Sequence, residues 1–202
     1  MSRPRIGGTE GYGERAAALA DQYESIAFAD VHRDVLHLIP DAPARIADIG
    51  AGSGRDAAAL ARMGHAVVAA EPTPELRLEG QRRHAALDLE WVDDALPELA
   101  GLRAQGRAFD VIMLTAVWMH LDEAERASGM ASLAALLAPQ ARILMSLRHG
   151  PVPPGRRMFE VSADETFALA AGHGLSRLHL STREDMLDRG DVHWSFVGLV
   201  RG

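Results

Sequence analysis

Cysteine is absent from the 202 residues, which excludes disulfides and thiolate chemistry without identifying a compartment. Long apolar runs are absent as well, and no stretch approaches the length of a membrane span. Residues 1–8 lack the apolar core of a signal peptide, so the expected location is the cytoplasm. Positive charge is scarce: 21 Lys and Arg stand against 28 Asp and Glu, and the formal net charge of −7 weakens a nucleic-acid reading. The short cluster Arg82-Arg83-His84 does not reverse that balance and is explained by a solvated helix face. Local metal-ligand spacing is missing too. His32 and His37 are five apart, His120 is followed by Asp122, and His149 stands among arginines and prolines, so no metal is expected.

What is present suits one well-buried α/β domain. The hydrophobic share of 48% is ordinary for a globular protein, and the length leaves little room for a second domain. The organising stretch is Ile46-Ala47-Asp48-Ile49-Gly50-Ala51-Gly52-Ser53-Gly54-Arg55-Asp56, which reads as a buried strand, a glycine turn and the start of a helix over residues 56–63. Residues 65–70 form a second strand with Glu71 at its tip, completing a βαβ unit whose helix amides are expected to face the crevice above the turn. Glu71 follows Gly50 at about the twenty-residue spacing at which an acid meets a ribose diol. A dinucleotide fingerprint wants a third glycine where Arg55 stands, and a phosphate loop wants Gly-Lys-Ser/Thr near the helix start. Both signatures fail.

The run Asp48-Ile49-Gly50-Ala51-Gly52-Ser53-Gly54 with Glu71 resembles the cofactor motif of class I S-adenosylmethionine-dependent methyltransferases. The order of segments resembles that family over residues 30–200, sharply only at this motif. The resemblance implies an α/β, seven-stranded Rossmann-like class I methyltransferase fold, with a mostly parallel sheet, an antiparallel last strand and helices on both faces. It implies S-adenosyl-L-methionine as cofactor, S-adenosyl-L-homocysteine as product and no metal. Residues 1–40 are expected to be a helical cover of the active site, and residues 41–202 the cofactor-binding domain.

The same resemblance distributes roles. Asp48, Gly50, Ala51, Gly52 and Gly54 lie along the methionine part, Glu71 takes the ribose, and Pro72 walls the adenosine. Asp93, with Asp94 as its alternate, accepts from the adenine amino group, while Thr115 and Ala116 border both methionine and acceptor. Arg15 can meet the methionine carboxylate, or simply be a solvent-facing charge. Trp118 can stack on an acceptor or pack structurally, and His120 can receive an acceptor proton or be a hydrogen-bonded structural histidine. His149 is a candidate for orienting or deprotonating the nucleophile, and Arg148 or Arg156 for binding an acidic group on the acceptor; solvent exposure explains the arginines equally. Tyr12, Tyr23 and Phe28 read as lid residues or as cover for an apolar face.

The remaining pattern fills out the fold. Residues 1–14 read as a leading segment, followed by two helical segments to residue 39. Strands are expected at 87–92, 111–115, 141–147, 175–182 and 193–200, the last two as a hairpin. A helix over 123–137 is expected to stop at Pro139, and Ser162 with Glu165 to cap another. The function that follows is methyl transfer to an oxygen or nitrogen of a small molecule, by a monomer or homodimer, with nucleic acid and membrane unlikely partners. The alternatives are a noncatalytic S-adenosylmethionine- or nucleoside-binding protein and another adenosyl-cofactor-dependent transferase.

Overall fold

In a computed structural model, the structure describes residues 11–187 and 189–202. Most of the leading segment read at residues 1–14 therefore lies outside the described residues. Seven strands form one sheet: β1 (Arg45–Ile49), β2 (Ala66–Ala70), β3 (Leu89–Val92), β4 (Phe109–Thr115), β5 (Leu137–His149), β6 (Leu175–Glu184) and β7 (His193–Arg201). Their spatial order is β3-β2-β1-β4-β5-β7-β6, with β7 antiparallel to both neighbours and the other pairings parallel. Because β6 runs with the parallel set, the β6–β7 hairpin turns at the same sheet edge where β1, β4 and β5 end.

Strand alternation divides the core into two layers. Ile46 of β1, Val111 and Met113 of β4, Leu144 of β5 and Phe196 of β7 pack against Phe28, Ala57 and Leu60 on one face. Ala47, Ile112, Leu114, Ile143, Met145 and Val197 pack on the other against Leu102, Met130, Leu133 and Ala170. The first face is covered by α2 (Phe28–His32) and α3 (Arg55–Arg62), the second by α5 (Ala100–Ala104), α6 (Glu123–Ala135) and α7 (Ala163–Ala171). A third small cluster, Ala16, Leu19 and Leu76, joins α1 (Ala16–Glu24) to α4 (Pro74–Arg83).

Local chemistry accounts for the helix ends. Asp122 accepts from the Glu125 amide while the Glu125 carboxylate accepts from the Asp122 amide, a full capping box on α6. At α7 the Ser162 hydroxyl accepts from the Glu165 amide at 3.1 Å, as the sequence pattern suggested. Glu165 itself turns to Arg126, 2.7 Å away, rather than back to the cap.

Two segments differ from the sequence reading. Pro139 does not stop α6, which ends at Ala135; it sits inside an early, irregular part of β5, where the pairing to β4 shifts between Phe109 and Val111 and Gln140 has φ +60°. The glycine-punctuated connection after Pro97 contains α5, whose Leu102 amide donates to Asp94.

Candidate active site

A cavity of about 380 Å3 opens where β1 and β4, neighbours in the sheet, send the following chain to opposite faces. Its floor is Asp48–Ser53. Gly50 and Gly52 have φ +73° and +57°, and the space above them is tight: a Cβ would come 2.5 Å from Val117 at Gly50 and 3.3 Å from the Tyr23 ring at Gly52. The amides of Gly50 and Ala51 both donate to the Ala70 carbonyl, that of Gly52 to the Glu71 carboxylate and that of Gly54 to the Ala51 carbonyl. Of the freed helix amides expected to face the crevice, that of Ala57 at the start of α3 is committed to Asp48 instead. These donors are satisfied within the loop and by Asp48, Ala70 and Glu71, so they are not offered to a ligand.

Glu71 is 5% exposed and still lines the cavity. Its two oxygens accept from the amides of Gly52 at 2.9 Å and Thr73 at 2.8 Å, and the Thr73 side chain adds a further hydrogen bond, which together fix the carboxylate. Burial raises its pKa, and the two amides moderate that rise.

Beneath the loop lies a buried polar network. Asp56 accepts from His32 Nε2 at 2.8 Å, from the Thr115 hydroxyl at 2.7 Å and from Arg55 Nε at 2.6 Å. Burial alone would raise the Asp56 pKa, but His32 and Arg55 outweigh it and hold this carboxylate well below its usual range. Asp48 behaves oppositely: burial and the neighbouring Asp56 charge push its pKa up. Glu24 of α1 accepts from the Ser53 hydroxyl at 2.7 Å and from His84 at 3.1 Å, fastening the N-terminal helices to the glycine loop.

The β4 edge supplies Thr115, Ala116 and Val117 to the cavity wall, with Ala116 at φ +58° and its amide on the Ser146 hydroxyl. The 3-10 turn Trp118–His120 then decides which side chains face inward. His120 lines the cavity, its Nε2 is 3.3 Å from the Tyr12 hydroxyl, and its Nδ1 is 2.8 Å from the Arg157 carbonyl. A carbonyl only accepts, so Nδ1 donates, and in the neutral ring the basic lone pair is on Nε2. Trp118 is 0% exposed and packs in the core, so its reading as an acceptor platform is corrected to structural packing.

Other readings are corrected by strand pleat and by prior commitments of the side chains. Arg148 lines the cavity, whereas His149, the next residue of β5, does not. His149 bonds Ser195 at 2.8 Å and stacks on His193 at 4.6 Å, and burial together with His193 lowers its pKa. Asp93 and Asp94 do not line the cavity. Asp93 is 3.6 Å from Arg77, and Asp94 accepts from the Ala95 and Leu102 amides. Ala95 and Leu96 take that part of the wall. Gly54, φ +81°, also lies outside the cavity; a Cβ there would meet Trp91 at 2.6 Å, so its need is close packing. Arg15 is exposed on the turn Gly13–Arg15, away from the cavity. Phe28 is buried against the sheet, while Tyr12 and Tyr23 line the cavity.

Several lining residues carried no sequence signal that singled them out: Ser53, Arg55, Asp56, Thr73, Ser146 and the hairpin residues Arg183, Asp185 and Arg189. Arg55 and Asp56 were legible only as the start of a helix, and the hairpin residues only as the link between the last two strands. Among the described residues no group of three or more histidines, aspartates or glutamates can hold a metal, and no helix is long and apolar enough to cross a membrane.

Comparison with known proteins agrees with this geometry. Residues 46–140 match the methyltransferase domain family. No curated protein sequence matches the chain. Among solved structures, 1,6-didemethyltoxoflavin-N1-methyltransferase of Burkholderia thailandensis, with 1,6-didemethyltoxoflavin and S-adenosylhomocysteine bound, is 21% identical with a TM-score of 0.67, over 100% of this chain and 93% of that one. A TehB-like S-adenosylmethionine-dependent methyltransferase of Corynebacterium glutamicum is 19% identical with a TM-score of 0.67, over 93% and 98% of the two chains. Magnesium protoporphyrin IX methyltransferase of Synechocystis, with S-adenosylmethionine bound, is 14% identical with a TM-score of 0.67, over 100% and 87%. The chain thus has the small class I S-adenosylmethionine-dependent methyltransferase fold, and its residues 46–140 match the methyltransferase domain family.

Proposed function

We propose that this chain binds S-adenosylmethionine and transfers its methyl group to an oxygen or nitrogen of a small molecule. The observation that carries the reading is the buried Glu71 carboxylate on the cavity wall, held by the Thr73 amide and by the Gly52 amide of the glycine loop. A vicinal diol supplies donors to such a carboxylate, and an ammonium group suits Asp48 and the loop carbonyls. When bound, the cofactor supplies an electrophilic methyl carbon: the acceptor lone pair forms the new bond, the sulfur keeps the old bonding pair, and S-adenosylhomocysteine is left.

The chain's own residues orient and shield that exchange. Glu71 fixes the sugar, Gly50 and Gly52 admit the amino-acid end at close range, and Thr115, Ala116 and Val117 form the wall beside which the acceptor is aligned. His120 takes the acceptor proton through Nε2 when proton loss is coupled to transfer, and an amine acceptor can shed its proton afterwards. Residues 1–40 act as a cover, a role supported by Tyr12, Leu19, Tyr23 and Ile26 lining the cavity, and residues 41–202 hold the cofactor. The net charge of −7 supports a small acceptor over nucleic acid. A cytoplasmic monomer or homodimer completes the proposal.

Calorimetry with S-adenosylmethionine and S-adenosylhomocysteine tests the first half, and methyl transfer into a cell extract, read by product mass and fragmentation, tests the second. Folded protein with no affinity for either ligand overturns the reading. A methylated oligonucleotide as the product overturns the small-molecule part.

A further inference from the structure

The cavity is electrically divided. Among the described residues, its β1–β2 side carries Asp48, Asp56 and Glu71 with one arginine, Arg55, whereas the side formed by β5, the β6–β7 hairpin and the loop after β5 carries Arg148, Arg156, Arg183 and Arg189 with one carboxylate, Asp185. In a chain of net charge −7, that second side is a local reversal of sign.

Among the described residues lining that side, the arginine donors outnumber the carboxylate acceptors. Asp185 is fully engaged: Arg189 reaches it through Nη2 at 2.6 Å and Nε at 2.9 Å, Trp194 Nε1 donates at 2.8 Å, and the Leu187 amide donates at 2.9 Å. Arg148, Arg156 and Arg183 each hold a buried N–H with no hydrogen-bond partner: Nε of Arg148, Nη1 of Arg156 and Nε of Arg183. Buried donors without an acceptor cost about 1–3 kcal/mol each, so three around one cavity mark a place where acceptor atoms belong.

The three arginines are not equally available. Arg183 lies over the Phe196 ring at 4.3 Å, donates to the Asp30 and Val31 carbonyls and stands 3.4 Å from the Asp34 carboxylate, so its charge is already paired. Arg156 lies over the Tyr12 ring at 3.8 Å. Arg148 uses only Nη1, on the Gly150 and Pro151 carbonyls, and its Nε–Nη2 edge is a planar two-donor fork matched to two oxygens on one carbon. Around it the surface is apolar and partly aromatic, from Trp194, Phe196, Met186 and Leu187.

Resting on the methyltransferase reading above, we infer that the acceptor is a flat, largely apolar molecule bearing a carboxylate, and that Arg148 is the residue that selects it. The carboxylate is the handle and not the methylated atom, because an arginine-paired carboxylate is a poorer nucleophile than a free one. Burial and the nearby Arg189 charge lower the Arg148 pKa against the opposing pull of Asp185, and the charge of an arriving anion favours the protonated guanidinium.

The test uses full-length protein saturated with S-adenosylhomocysteine and a panel of one- and two-ring aromatic carboxylates, each paired with its uncharged primary amide, followed by ligand-observed NMR. Carboxylates are expected to bind at least about tenfold more tightly than their amides. Arg148→Gln is expected to abolish that preference and Arg148→Lys to restore it only in part, with S-adenosylhomocysteine affinity unchanged in both as the control for folding. Equal binding of amides, a preference that survives Arg148→Gln, or no binding by any panel member to the loaded protein overturns the inference and leaves the methyltransferase reading standing. Wild-type protein that fails to bind S-adenosylhomocysteine overturns the methyltransferase reading itself, and this inference falls with it.

Discussion

Replacing Glu71 tests the nucleoside site at its most committed atom. In Glu71→Ala the ligand loses two hydroxyl-to-carboxylate bonds, and such bonds to a charged group bring the combined loss to about 2–4 kcal/mol, or about thirtyfold to a thousandfold in affinity. The protein also loses the acceptor for the Gly52 and Thr73 amides. Water entering through the cavity offsets part of that cost, leaving about 1–3 kcal/mol of destabilisation and a melting-point drop of about 2–4 °C per kcal/mol. Glu71→Gln keeps the shape but sets an NH2 against one backbone amide, so it is expected to weaken the ligand while melting between wild type and alanine. The pH dependence separates the two effects. Because burial raises the folded-state pKa above the ordinary 4.5, the group's contribution to stability is present below 4.5 and is lost as pH rises through the raised value. Ligand affinity runs the other way, since hydroxyl donors need the ionised form, and falls as pH drops through that same value. Calorimetry with S-adenosylhomocysteine over a pH series, with thermal melts in parallel, reads both. A folded Glu71→Ala protein with wild-type affinity would refute the assignment.

Further substitutions divide binding from folding. Gly50→Ala is expected to abolish S-adenosylhomocysteine binding and lower the melting temperature, because its Cβ meets Val117 at 2.5 Å in a left-handed backbone that costs about 1–2 kcal/mol for an L-residue. Trp118→Ala should cost about 3–5 kcal/mol in chemical denaturation while leaving the cofactor affinity of the remaining folded protein intact; a selective loss of acceptor binding would restore the platform role. Asp122→Ala, which removes the capping box of α6, is expected to cost about 1 kcal/mol by the same measurement. His149, its pKa lowered in the fold by burial and His193, binds a proton more readily when unfolded, so its contribution is full above its ordinary 6.5 and is lost as pH falls through that value toward the folded one. The acid-side fall in melting temperature should therefore flatten in His149→Gln, with turnover unchanged.

The parts of this fold legible in the sequence are those set by neighbours along the chain. The strand, the glycine turn, α3 and Glu71 lie within one βαβ unit, so spacing alone placed them at the cavity. The β6–β7 hairpin was also readable, but not that its turn brings Arg183, Asp185 and Arg189 to the cavity, because that depends on β6 joining the sheet beyond β7. Side-chain direction at the strand ends was the main loss. A 3-10 turn sends Trp118 into the core and His120 into the cavity, and the pleat of β5 separates Arg148 from His149, although each pair is almost contiguous in sequence. Asp94 illustrates the remaining failure: a carboxylate at the right strand end was already taken by the amides of Ala95 and of Leu102 in α5, a helix too short and glycine-broken to announce itself.

The central claim is a placement, and a crystal structure of the protein with S-adenosylhomocysteine measures it directly. Both sugar hydroxyls should lie within hydrogen-bond distance of the Glu71 carboxylate, with the amino-acid end along Gly50–Gly52. A nucleoside bound elsewhere, with Glu71 still holding only Gly52 and Thr73, would contradict the account.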